Sequence, residues 1–322
     1  MEGWRKYRSS ILSEEFAAGA TGPAQANSEA GGLSPDAKTF IEGHDLPLED
    51  FVSLLKQVAD DPSFRALALA GRKDDGGPPD EAVTVTGGTP IAAKDLTPTQ
   101  KEIEVNKSLG DQMTNKFGST AAALNPEVIH MPGKKGPTSI LTYQNTFILD
   151  GHHRWSQIMM TNPEGMVAVQ NLGGTAIQTA EAALKATQLA IAGLAGNVLT
   201  KGVENNLLNL SADGMRQIVN SNISDEVLEL LVKMKKISKP DKAEAAEYYV
   251  RNLKIIQGKP PGAFSREGGM PQAGDSGVSQ DKVNDALESG MINFDDPEAG
   301  DIQAPEPQKP QTKPEEETEE EV

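Results

Sequence analysis

The pentapeptide at positions 150–154 carries the densest chemistry in this sequence: Asp150-Gly151-His152-His153-Arg154. Gly151 has no Cβ, so a ligand can approach its backbone closely. Arg154 can bind a phosphate through two parallel hydrogen bonds. His152 and His153 add donors that are cationic or neutral near neutral pH. Asp150 can orient a histidine, cap a helix or bind Mg²⁺. This set of groups suits a phosphate ester better than a neutral ligand.

A strand, a turn and a helix must hold these groups. Residues 139–143 and 146–149 have strand composition and flank Gln144-Asn145, which predicts a hairpin turn. The second strand runs into the pentapeptide, and a helix is expected to begin there, so that its N-terminal N–H groups and partial positive charge face the ligand. Further strands are predicted at 82–86, 91–95, 128–131 and 166–169.

Helical patterns occur on both sides of this block. Apolar residues at 48–61 recur at i, i+3, i+4 and i+7, and Pro62 ends that segment. Pro98 suits the first turn of a helix that would include Ile103 and run toward Met113. Beyond Gly174, helices are predicted at 176–194, at 211–219, at 227–237 after the N-cap Ser224, at 241–256 and at 278–287.

Metal chemistry is a weaker interpretation of the same turn. Neighbouring histidines point to different sides, so His152 and His153 do not form a ligand pair by themselves. His130 is the candidate third ligand for a zinc site. The chain has no cysteine, which excludes a thiolate zinc site, a disulfide and a Cys nucleophile. Trp155 is expected in the core rather than as a platform for a base.

Charge placement bears on partners. Of the net charge of −17, residues 281–322 carry 14 acidic and 3 basic side chains, whereas 81–173 carry 8 acidic and 7 basic ones. Non-specific DNA binding is built on Lys and Arg contacts to phosphates, so DNA is disfavoured as a partner. No apolar run approaches the roughly 18 residues that a membrane span needs. The first ten residues lack the apolar core of a signal peptide, so we expect no membrane and a cytoplasmic location.

These patterns predict an α/β protein with a small mixed sheet, a following α-helical region and disordered termini. The expected organisation is a flexible N-terminal region with short helices at 1–80, a ligand-binding domain at 81–173, a helical region at 174–258 and a mostly disordered acidic tail at 259–322. The end of this tail, at 301–322, is rich in Pro and Glu and has too few apolar groups to offset the entropy of ordering.

The segment ILDGHHRW at 148–155 resembles the phosphate-binding motif of the ParB/sulfiredoxin-like superfamily. It is especially similar to the DGHHR form in ParB-like free-serine kinases and in ParB-like proteins of tailed phages. The sequence Leu-Thr-Pro-Thr-Gln at 96–100 resembles the Leu-x-Pro-x-Gln or Leu-x-Pro-x-Glu element that begins the domain, and Ser108-Leu109 resembles the next helical step. The resemblance covers residues 82–173, under a third of the chain.

The resemblance implies a small mixed sheet with packed helices and a nucleotide held by the DGHHR turn. Members variously bind CTP, use ATP or ADP to phosphorylate a small substrate, or are labelled nucleases. It implies ATP, ADP or CTP with Mg²⁺ as the cofactor. The implied nucleotide-binding residues are Gly151, His152, His153, Arg154 and Gln100, the implied catalytic residues are Asp150, His152, His153 and Glu104, and the implied Mg²⁺ ligand is Asp150.

One position departs from the kinase pattern. The serine-kinase members carry Glu where this chain has Gln100, and an amide is no useful proton acceptor. ParB itself has Gln there. On the predicted helix Glu104 would share a face with Gln100 and serve as the substitute base, while Glu102 would face elsewhere.

Three functions stay open from the sequence. The leading hypothesis is a nucleotide-binding ParB-like phage protein, with phosphotransfer or nucleotide hydrolysis as its activity. A rival is a non-catalytic phage assembly or virion-associated protein that uses the fold as a scaffold and contacts other phage proteins through its termini. The third is a ParB-like nuclease, which the charge distribution disfavours. The location would be the host cytoplasm or the virion.

Overall fold

A computed structural model describes residues 47–69, 83–133, 136–174, 177–198, 203, 205–259, 270–273 and 277–288. Most of the flexible N-terminal region predicted at 1–80 and of the disordered acidic tail predicted at 259–322 lies outside these ranges. Within them, the protein has a mixed α/β fold, as the sequence predicts.

The strands are short and fall into separate sheets. In chain order they are β1 (Thr84–Gly87), β2 (Ile91–Ala92), β3 (Val128–Ile129), β4 (Met131–Gly133), β5 (Gly136–Thr138), β6 (Ile140–Tyr143), β7 (Phe147–Asp150), β8 (Met166–Val167) and β9 (Val169–Gly173). A four-stranded sheet has the order β1-β9-β6-β7, a three-stranded one has the order β2-β8-β3, and β4 pairs with β5. The β9–β6 and β3–β8 pairs are parallel, and the other pairs are antiparallel.

The predicted hairpin joins β6 to β7. Gln144 and Asn145 have φ of 52° and 51°, and positive φ at both central positions is the requirement of a type I′ turn. The Thr146 N–H donates to the Tyr143 carbonyl at 3.0 Å and closes the turn. The hairpin directs β7 toward the glycine turn at 151.

The helices are α1 (Leu48–Asp60), α2 (Pro62–Ala68), α3 (Val105–Thr114), α4 (Ser119–Ala123), α5 (His152–Thr161), α6 (Ala180–Ala195), α7 (Ala212–Asn222), α8 (Asp225–Lys233), α9 (Lys242–Gln257) and α10 (Gln280–Glu288). The predicted N-cap is confirmed at Ser224, whose hydroxyl accepts from the Val227 N–H. Asp241 likewise caps α9 by accepting from the Glu244 N–H at 2.9 Å. Such caps satisfy N–H groups that have no partner within the helix.

The four-stranded sheet separates two apolar cores. Successive strand residues point to opposite faces, so Ile140 and Ile148 enter one core and Leu141 and Leu149 enter the other. The first core also contains residues of α3, α5, α7, α8 and α9. The second contains residues of α1, α6 and α10. Helices from both sides of the predicted 81–173 domain therefore share its cores.

Some predicted boundaries are wrong. The helix expected from Pro98 begins only at Val105. Thr97 instead pairs with the edge of β7, because its N–H donates to the Thr146 carbonyl at 2.8 Å and its carbonyl accepts from the Ile148 N–H at 2.9 Å. The helical backbone conformation is also disfavoured for a residue that precedes proline, as Thr97 does. Gln100 and Glu104 consequently do not share a helix face, and that part of the substitute-base argument fails.

Other differences are local. The strand expected at 91–95 ends at Ala92 and continues as a 3₁₀ turn over Ala93–Asp95. The helix expected to reach Ile237 ends at Lys233, and the chain turns through Lys235 at a φ of 56°. The helix α2 has no counterpart among the predicted elements.

Candidate functional site

Gly151 forms the joint between β7 and α5. It is the N-cap of α5 with a φ of 98°, a backbone conformation that residues with a Cβ rarely adopt. A Cβ built at this position would lie 2.9 Å from Nη2 and 3.1 Å from Nε of Arg154. The guanidinium therefore lies directly against the glycine, at the N-terminus of the helix.

The first turn of α5 has an unusual charge order. It begins His152-His153-Arg154 and contains no acidic residue. The helix dipole places partial positive charge at this end, so acidic side chains are the stabilising choice there. A cationic side chain at the same end is unfavourable unless an anion faces it. Asp150, which directly precedes Gly151, is the anion that faces Arg154 in the structure.

Arg154 is held by two acceptors. Its Nη2 donates to Oδ2 of Asp150 at 3.1 Å and to Oε1 of Gln280 at 3.1 Å. A guanidinium has five N–H donors. In the described part of the chain, the hydrogens on Nε and Nη1 make no hydrogen bond. Three oriented donors thus remain at the helix terminus, and the Asp150 and Arg154 side chains are 14% and 21% exposed.

His152 is turned into the protein. Its side chain is buried, and Nε2 accepts from the Thr99 backbone N–H at 3.0 Å. Thr99 Oγ1 lies 3.3 Å from the same nitrogen and donates to the Ile148 carbonyl at 2.6 Å. Because Nε2 accepts from an amide, His152 is a neutral imidazole with its proton on Nδ1 in this arrangement. Its observed contacts fix the segment at 97–100 to the start of α5.

The next residue, His153, makes a similar contact. Its Nε2 accepts from the Glu104 backbone N–H at 3.4 Å. Glu104 is the N-cap of α3, and its carboxylate is 3.4 Å from Nζ of Lys107. The two histidines therefore attach both ends of the 99–104 segment to the turn.

The other side of the 99–104 segment is also fixed. The Asn206 side chain accepts from the Ile103 N–H at 3.1 Å and donates to the Lys101 carbonyl at 3.0 Å. The Leu207 N–H donates to the Ile103 carbonyl at 2.7 Å. Asn206 and Leu207 thus hold the 99–104 segment from the side opposite the glycine turn.

The sequence-predicted site residues come together, but with different roles for two of them. Gln100 is buried, and its amide donates to the Glu102 carbonyl. Glu104 contributes its backbone N–H to the turn, while its carboxylate pairs with Lys107. Asp150 lies beside Arg154 as an ion-pair partner.

The described ranges contain no cluster of side chains suited to bind a metal ion. No group of three or more His, Asp or Glu side chains there is placed to hold a metal ion. His130, the candidate third zinc ligand, lies exposed between β3 and β4. Trp155 is fully buried, and its indole N–H donates to the Ala93 carbonyl at 2.8 Å, so it is a core residue as expected.

Two residues of the site were not identified from sequence. Thr99 lies in the Leu-Thr-Pro-Thr-Gln element, and its place in that element is the signal that could have indicated it. Gln280 is 126 residues from Arg154 in the chain. Its local sequence has the pattern of a short helix and carries no signal for a distant arginine.

The fold and the site together define a mixed α/β protein in which a glycine turn starts a helix with a His-His-Arg first turn. Comparison of the chain with protein-family models, with curated proteins and with solved structures gives no match. None of the helices in the described ranges combines the length and apolar composition needed to cross a bilayer.

Proposed function

We propose that this chain binds a nucleotide, and that the phosphates lie at the N-terminus of α5 with Arg154 as the main ligand. The observation that carries the proposal is the position of the guanidinium against Gly151, where it adds its charge to that of the helix terminus. The helix terminus and the guanidinium meet at one point, where Asp150 offsets part of the positive charge, and phosphate is a ligand suited to both.

Each neighbouring group has a role in this proposal. Asp150 orients Arg154 through Nη2 and leaves the Nε and Nη1 donors for phosphate oxygens. His152 and His153 hold the 99–104 segment as a wall of the site. Mg²⁺ would accompany the phosphates of ATP, ADP or CTP. The resemblance to the DGHHR turns of ParB/sulfiredoxin-like proteins favours a nucleotide over inorganic phosphate.

The proposal stops at binding. A phosphotransfer step needs a base near the acceptor hydroxyl. Gln100 has no carboxylate, and its amide is bonded to the Glu102 carbonyl. The buried position also disfavours Gln100→Glu, because the new carboxylate would face a carbonyl oxygen instead of donating to it.

A second candidate function is a scaffold without a ligand, as in an assembly or virion protein of a phage. The observation that favours it is that His152, His153 and Arg154 all bond to other parts of this chain. In that case the DGHHR turn acts as a structural clamp between α5, the 99–104 segment and α10.

Calorimetry separates the two candidates. The wild type should be titrated with ATP, ADP, CTP and GTP, each with and without Mg²⁺, and assayed for turnover. If Arg154 binds phosphate, Arg154→Ala should weaken binding by about 1.5–3 kcal/mol, the range for hydrogen bonds to charged groups. Arg154→Lys should restore binding only in part, because an ammonium group lacks the fixed Nε and Nη1 donors of the guanidinium.

The matched control is Arg251→Ala, which removes an exposed arginine of α9 that lies over the Tyr248 ring. It should leave nucleotide affinity unchanged. Equal nucleotide affinity in the wild type and Arg154→Ala contradicts the phosphate site. No binding by the wild type, together with loss of stability in Arg154→Ala, favours the scaffold.

A further inference from the structure

A chain of polar side chains leads from the glycine turn into the C-terminal helix. Arg154 Nη2 donates to Gln280 Oε1 at 3.1 Å, and Gln280 Nε2 donates to Asn284 Oδ1 at 3.0 Å. Asn284 Nδ2 donates to Gln170 Oε1 at 2.7 Å, and Ser139 Oγ donates to the same oxygen at 2.9 Å. This network of hydrogen-bonded side chains links α5, α10, β9 and Ser139, the residue before β6.

The direction of this hydrogen-bond network is set by Arg154. Arg154 can only donate, so Gln280 must present its oxygen to it. The Gln280 amide nitrogen then donates to the Asn284 oxygen, which leaves the Asn284 nitrogen to donate to Gln170 Oε1. Each amide therefore has one orientation that satisfies its neighbours, and such a network is costly to disrupt in a buried place.

Burial supports a defined position for Gln280. It is 9% exposed, and Asn284 is 5% exposed. The helix that carries them is held by apolar contacts of its own, because Val283, Ala286 and Leu287 are buried in the second core. The placement of α10 thus does not depend on the contact with Arg154, and the contact can be removed without removing the helix.

The chemical type of Gln280 also fits an anion site. Two acceptors on one nitrogen fix the plane of a guanidinium that would otherwise rotate, and this ordering lowers the cost of binding. Asp150 already supplies one negative charge. A second carboxylate would orient the guanidinium equally well but would repel phosphate, whereas an amide oxygen orients it without adding charge.

We propose that Gln280 is a positioning residue for Arg154, so that the C-terminal helix α10 completes the phosphate site formed by the glycine turn. The binding part of this inference rests on the proposed function. The positioning part does not, because the contact between Gln280 and Arg154 exists in the protein without a ligand.

The first experiment needs no ligand. Urea unfolding of the wild type, Arg154→Ala, Gln280→Ala and the double variant forms a double-mutant cycle. Arginine side-chain NMR then follows the Arg154 Nε–H, assigned by its loss in Arg154→Lys. We expect a non-zero coupling and a faster rotation of the Arg154 guanidinium about its Nε–Cζ bond in Gln280→Ala. Additive stabilities together with an unchanged Arg154 signal would overturn the proposal.

The second experiment uses tripolyphosphate and the tightest nucleotide as probes. Gln280→Ala should weaken binding about two- to tenfold, the equivalent of one net hydrogen bond. Gln280→Glu should retain the contact with Arg154 but lose the hydrogen bond to Asn284, and it should fail to restore phosphate affinity. The control is Asp285→Asn, an exposed position on the same helix, which should change neither property.

The outcomes distinguish the two proposals. If the wild type binds no probe but the coupling is present, the nucleotide function fails and Gln280 orients Arg154 for the scaffold. If the wild type binds and Gln280→Ala lowers stability without changing affinity, Gln280 has a structural role only and the proposal is wrong.

Discussion

Gly151→Ala is the most direct perturbation of the site, because one methyl group changes both the turn and the arginine. A residue with a Cβ at a φ of 98° costs about 1–3 kcal/mol of backbone strain. The new Cβ would also lie 2.9 Å from Arg154 Nη2, so the end of this side chain must shift by a few tenths of an ångström and its two hydrogen bonds lengthen. Weakening of that partly exposed pair of contacts adds about 1–2 kcal/mol.

Gly118→Ala is the matched control for this change. Gly118 is also the N-cap of a helix, has a φ of 72°, and has no heavy atom within 4 Å of a built Cβ. It therefore carries the strain without the displacement of a side chain. Urea unfolding should show Gly151→Ala to be more destabilising than Gly118→Ala by about 1–2 kcal/mol.

The same pair of variants tests the function. Calorimetry should show that Gly151→Ala weakens nucleotide binding about tenfold, since the guanidinium is displaced from its position against the helix terminus. In an Arg154→Ala background the excess destabilisation should vanish. Equal destabilisation by the two glycine variants in the wild-type background would refute the close contact between Gly151 and Arg154. A lower stability with unchanged nucleotide affinity would refute the phosphate site.

Three further predictions concern the framework. Trp155→Phe should lower stability by about 1–3 kcal/mol, because it removes the bond to the Ala93 carbonyl and leaves a void in the first core; urea unfolding measures it. Ser224→Ala should cost about 1 kcal/mol through loss of the α8 N-cap, again by urea unfolding, and an unchanged midpoint would contradict the cap. Arg216 lowers the pKa of Glu247 below its usual 4.5, so this carboxylate stabilises the fold above that pH and loses its contribution as the pH falls through the lowered pKa. Glu247→Gln should therefore flatten the dependence of the melting temperature on pH below about 4.5, and an unchanged profile would argue against the pair.

Local sequence signals predicted the parts of the fold whose physics is local. Ser224 and Asp241 cap their helices because a side-chain oxygen two or three residues away reaches a backbone N–H. Asn145 tolerates the positive φ of the hairpin turn. Gln144 adopts positive φ because a two-residue type I′ turn requires it at both central positions. Periodicity likewise predicted α1 at nearly its observed length.

Local signals were misleading where a distant strand competes for the same backbone groups. Pro98 has the composition of a helix start, yet Thr97 pairs with the β7 edge instead. The helix begins only at Val105, because residues 99–104 pass the two histidines, which accept from the Thr99 and Glu104 N–H groups. Whether an N–H bonds within a helix or to a strand depends on which acceptor the fold brings near it, and no window of sequence contains that information.

The sequence by itself determined that residues 150–154 form a glycine turn between a strand and a helix, because Gly151 has the backbone freedom and the flanking residues have the periodicity. It also determined that the turn carries Arg154 and two histidines. Only the tertiary structure decided what those side chains contact: Thr99, the Glu104 backbone and Gln280. The last of these lies on a helix held in place by Val283 and Leu287, so its position follows from long-range apolar packing rather than from any property of the turn.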